Sequence, residues 1–68
     1  MKYIMEAMYK TARTAYGEFD GLQGAVKVAE AYAAMRGLKA VNAQRYFWAN
    51  EHESVGVFDS DTGEAVQR

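Results

Sequence analysis

The chain has no cysteine, no proline and a single histidine in its 68 residues. Without cysteine there is neither a disulfide framework nor a thiolate metal site. His52 alone cannot supply a structural zinc centre. Small folds commonly rely on such staples, so good packing or association with another chain is left to stabilise this one. No run is apolar enough or long enough to span a membrane. The start, Met1-Lys2-Tyr3-Ile4-Met5-Glu6, carries charge too early for a signal-peptide core. A cytoplasmic location is the expectation, and the missing cysteine agrees with a reducing compartment.

Catalytic patterns are also missing. There is no glycine-rich phosphate loop, no Ser/His/Asp set and no metal-ligand spacing. His52, between Glu51 and Glu53, reads as an exposed imidazole in a turn. Asp59, Asp61 and Glu64 surround Gly63 in a loop too short for a calcium site. The expectation is a protein that is not an enzyme and needs no cofactor.

Charge is uneven. The net value is −1, yet residues 1–48 carry a net of +3 and residues 49–68 a net of −4. A strongly basic footprint for nucleic acid is absent. The acidic segment, with Glu51, Glu53, Asp59, Asp61 and Glu64, is a second candidate contact surface.

What is present describes one folded domain over residues 1–68. Half of the residues are hydrophobic and nine are aromatic, enough to collapse around a core. A chain this short buries only about 60% of its unfolded surface, so its stability is marginal.

The clearest element is a helix over 21–36. Asp20 is positioned as N-cap, with Gln23 completing a capping-box pattern. Leu22, Ala25, Val26, Ala29, Tyr32, Ala33 and Met35 follow at near-helical spacing. Gln23, Lys27, Glu30 and Ala34 mark the solvent stripe. Gly37 suits a left-handed stop with Leu38 folding back. Gly24 marks a close approach of the helix to a sheet.

Residues 1–19 admit two readings. Met1, Met5, Met8, Ala12, Ala15, Phe19 and, beyond the segment, Leu22 fit a heptad seam. Tyr3, Met5, Ala7 and Tyr9 alternate with Lys2, Glu6 and Lys10 as in a strand. Thr11, Thr14, Tyr16 and Gly17 favour strands, expected near 2–10 and 14–19. Further strands are expected near 40–49, 53–58 and 64–67, with a turn at Ser60-Asp61-Thr62-Gly63.

The stretch from Val41 to Asn50 points most directly at function. As a strand it places Val41, Ala43, Phe47 and Ala49 on one face, with Arg45 as the polar exception. Asn42, Gln44, Tyr46, Trp48 and Asn50 occupy the other. The first face reads as core. The second, with Gln44, Tyr46, Trp48 and Asn50, reads as a partner-binding surface, because tryptophan and tyrosine anchor protein interfaces.

The element order, with the Phe19-Asp20-Gly21-Leu22-Gln23-Gly24-Ala25 passage from strand to helix, resembles small phage-encoded inhibitors of host enzymes, among them anti-CRISPR proteins. The resemblance carries over no functional residue. It implies a viral, non-enzymatic binder that blocks a larger defence or transcription complex in the host cytoplasm. The expected fold is α+β, one helix packed on a small, mostly antiparallel sheet in ββαββ-like order. The expected partner is a larger protein or complex, or a second copy of the chain. A nucleic-acid-binding module using the open sheet face is the alternative.

Overall fold

A computed structural model describes residues 2–68. Met1, the first member of the heptad seam, lies outside the described residues. The chain folds as β1 (Tyr3–Tyr9), β2 (Ala12–Phe19), α1 (Leu22–Arg36), β3 (Lys39–Ala40), β4 (Phe47–Ala49) and β5 (Glu53–Asp59). The five strands form one sheet in the order β2-β1-β5-β4-β3, every pair antiparallel. One helix on an antiparallel sheet is the α+β architecture expected. No helix among the described residues is long and apolar enough to cross a membrane.

Alternation on β1 decides between the two readings of the N-terminal segment. Met5 and Ala7 are buried, and they face Val57 and Val55 of β5 across the ladder. Strand pairing covers β1 on both edges, so its backbone groups bond to β2 and β5 and not to its own next turn. The hairpin turns at Lys10-Thr11, where Lys10 takes a positive φ of 56°. The register of β1 against β2 shifts between Ile4 and Met5, opposite Gly17. Gly17 has φ 61°, a bulge conformation that a side chain would strain.

The helix lies chiefly over β1 and β5. It rests there on a stripe of small residues, Ala25, Val26, Ala29 and Ala33, all buried. Its C-terminus closes as expected. Gly37 is left-handed at φ 70°, Leu38 N–H donates to the Ala33 carbonyl at 2.8 Å, and Leu38 is buried.

Four expectations for the helix need correction. The N-cap is Gly21, in extended conformation, with no side-chain hydrogen bond; Asp20 sits one residue outside. The Asp20–Gln23 capping box does not form, because a carboxylate at N′ is not placed to accept from the first-turn N–H groups. Met35 is 83% exposed, since it falls on the helix side turned from the sheet. Gly24 is no close approach: a Cβ there would meet Phe19 at an ordinary 3.7 Å.

The strand expected over 40–49 is broken. Asn42 Oδ1 accepts from Gln44 N–H at 2.8 Å, a side-chain turn that competes with the ladder. Only Lys39–Ala40 and Phe47–Ala49 remain extended, and Val41 is 59% exposed. The segment near 64–67 is not a continuous strand. It makes isolated bridges, Ala65 to Phe58 and Gln67 to Arg45.

Candidate protein-interaction surface

One helix covers one face of the sheet. The other face carries the alternate residues, and their register brings a set of apolar groups together. Ile4 lies opposite Phe58, and Phe47 lies opposite Gly56, one position along from Phe58 on the same face. Gly56 makes this possible. A Cβ there would come within 2.8 Å of Phe47 Cδ1 and 3.1 Å of Phe58 Cε2. The two rings therefore close over bare backbone, a recurring use of glycine inside strands. Met8 and Ala49 flank Ser54 on the same face. Ile4, Phe47 and Phe58 are half-buried and Met8 is exposed. Among the described residues, no other element covers them.

Polar groups lie within and around this patch, with Glu6 between Ile4 and Met8 opposite Gly56. Arg13 pairs with Glu6 across the hairpin. Ser60 donates its hydroxyl to Glu18 at 3.1 Å. Beside the rings, Asn42, Arg45, Phe47, Phe58 and Ala65 line a shallow hollow of about 250 Å³.

A second depression lies on the helix side. Ala7, Tyr9, Thr14, Tyr16, Tyr32, Arg36 and Glu53 line a groove of about 480 Å³. Arg36 bonds Glu53 at 3.0 Å and lies 5.2 Å from the Tyr32 ring centre. The rings of Tyr16 and Tyr32 tilt together at 5.8 Å. Desolvation pushes the Tyr32 phenol above its ordinary pKa, against the opposing charge of Arg36.

The residues singled out from the sequence are placed differently from the expectation. Tyr46 and Trp48 do share a face, but it is the covered one. Trp48 pairs with Val55 and is only 8% exposed; Tyr46 packs against the same core. The guanidinium of Arg68 closes over both rings, 4.9 Å from the Tyr46 centre and 5.9 Å from that of Trp48. Phe47, expected in the core, is the ring on the open face. The alternation itself is kept, since Ala40 pairs with Trp48 and Val41 stays opposite Phe47; what differs is which of the two faces the helix covers.

Gln44 accepts from Arg68 N–H at 2.8 Å. Asn50 Oδ1 accepts from the backbone of His52 and Glu53 and caps a turn. The acidic residues do not gather. Glu51 and Glu53 lie at one end of β5, Asp59, Asp61 and Glu64 at the other, some 20 Å apart by strand rise. Asp59 Oδ1 accepts from the N–H groups of Asp61 and Thr62, which makes this segment the turn expected.

No protein-family model, no curated protein and no solved structure matches this chain.

Reading the sequence for a site missed Ile4, Met8, Gly56, Phe47 and Phe58. One signal was available: a glycine interrupting Val55-Gly56-Val57-Phe58, where a strand interior ordinarily carries a side chain.

Proposed function

We propose that this chain is a small, non-enzymatic protein-binding module whose contact surface is the open sheet face. The observation that carries the reading is the one-sided cover: α1 lies on the face of Met5, Ala7, Val55 and Val57, while no described element packs over Ile4, Met8, Phe47 and Phe58. Partly exposed apolar rings set among polar groups are a common mark of protein contact. Inhibition of a larger host complex is the finer form of this reading, and chain outline alone supports it.

A nucleic-acid partner fits the rim less well. Phosphate binding needs a field of one sign. Here Arg13 is taken up by Glu6, and Glu18 stands on the same face.

The test is affinity capture with tagged parent and with the Met8→Glu, Ala49→Lys double variant. Those changes place charge beside the rings and leave Phe47, Gly56 and Phe58 packed. A cellular protein held by the parent and released by the folded variant is the expected result. Equal retention by both would move the contact surface elsewhere.

A further inference from the structure

We infer that two copies of the chain pair antiparallel through their β2 strands, about a two-fold axis at Ala15. The second copy is an occupant separate from the partner of the open face.

β2 is an edge strand, and Ala12 to Glu18 are exposed along its whole length. The direction of its backbone groups follows from β1. Lys2 O accepts from Ser60 N–H and Lys10 N–H donates to His52 O, both on the β5 side. Even-numbered residues of β1 thus turn their backbone toward β5, and Tyr3, Met5, Ala7 and Tyr9 turn theirs toward β2. Their partners Ala12, Thr14 and Tyr16 bond inward. Arg13, Ala15 and, past the Gly17 bulge, Glu18 present N–H and C=O outward to no strand.

These three outward residues are self-complementary. With Ala15 opposite its own copy, Arg13 of each chain meets Glu18 of the other, the bulge absorbing the extra residue. Two opposite-charge pairs form on the open face, and Thr14 meets Tyr16 of the other copy on the helix face. A small side chain sits on the axis. Sliding by two residues either way sets Arg13 or Glu18 opposite Ala15 and loses both pairs. Sliding further sets Arg13 on Arg13 or Glu18 on Glu18. The register is therefore specified by charge as well as by backbone. Charged residues often blunt an edge against pairing; opposite signs at mirrored positions do the reverse. Glu6 and Ser60, already bonded to Arg13 and Glu18, extend the pairs into a polar row across the seam. The opposite edge, β3, has two residues and no such pattern.

Sedimentation of the purified chain over rising concentration tests this without any other protein present, so it can fail while the binding proposal stands, and the reverse. A dimer is expected for the parent. Arg13→Glu and Glu18→Arg should each weaken it roughly tenfold or more, and the two together should restore it. Ala15→Pro should give a folded monomer, because the lost N–H faces outward and the β1–β2 ladder keeps its bonds. A parent that stays monomeric to millimolar concentration would overturn the inference. So would a charge-swapped pair no tighter than the single variants, a readout that stands even where the proline variant does not fold.

Discussion

The two edges of the sheet are finished in opposite ways. On the β3–β4 side the strands are two and three residues long. There the chain folds back on itself: Val66 N–H donates to Val57 O, Gln67 bridges Arg45, and Arg68 lies over Tyr46 and Trp48. On the other side β2 runs for eight residues with nothing beyond it. The single tryptophan, with Tyr46 beside it, lies at the edge that the chain seals itself. The edge left open carries small, hydroxylic and charged groups apart from Tyr16 and Phe19, whose rings turn toward the helix side. Exposed backbone is tolerable in water; exposed indole is not. Large aromatics in a sequence therefore mark where a small sheet closes at least as well as where it binds.

The strongest way to break this comparison is at the sealed edge. Trp48→Ala should cost about 3–5 kcal/mol, a large share of the stability of a domain this size, and abolish the cooperative thermal transition seen by circular dichroism. Phe47→Ala, on the open face, should cost only about 1–2 kcal/mol, since its ring is half-buried, and leave that transition in place.

Between the edges, Gly56→Ala should destabilise by about 1–3 kcal/mol, because both rings must shift. Urea unfolding measures it, and an unchanged midpoint would mean that Phe47 and Phe58 repack freely. Arg68→Ala should cost roughly 1 kcal/mol through its ring contacts and its bond to Arg45 O. Tryptophan fluorescence of the folded state should shift to longer wavelength as water reaches Trp48.

The smallest effect belongs to the groove beside β2. Tyr32 ionises less readily folded than unfolded. The unfolded chain loses that proton first as pH rises past the ordinary tyrosine value of about 10. Folding stability should then fall until the raised folded value is passed. Tyr32→Phe should fall less than the parent between pH 9 and 11 in urea titrations; equal losses would remove Tyr32 from the account.

Legibility in the sequence followed distance along the chain. Period and turn chemistry gave β1, β2, α1 with its Gly37 stop, and β5, all within two residues at each end. Asp20 was misjudged because Gly21 is itself a competent N-cap; Asp20→Ala should leave the melting temperature nearly unchanged. The faces of 41–50 were exchanged because alternation separates two faces without saying which one the helix covers, and the larger rings of Tyr46 and Trp48 took the covered one. The open patch was hidden for a different reason. Ile4, Phe47 and Phe58 lie far apart in sequence, and only the strand order β1-β5-β4 makes them neighbours.

That strand order also sets a schedule for synthesis on the ribosome. β5 is made after the other four strands of the sheet, yet it lies in the middle, between β1 and β4. Ile4 finds its partner on β5 only when Phe58 exists. Until then the nascent chain can hold a hairpin and a helix, but β1 keeps one bare edge and the alanine stripe of the helix has half a floor. Such long-range closure is slow compared with local folding. The unfinished chain therefore presents Met5 and Ala7 to the cell for as long as translation of the remaining residues takes, and the exposed template it offers is matched by a segment it has not yet received.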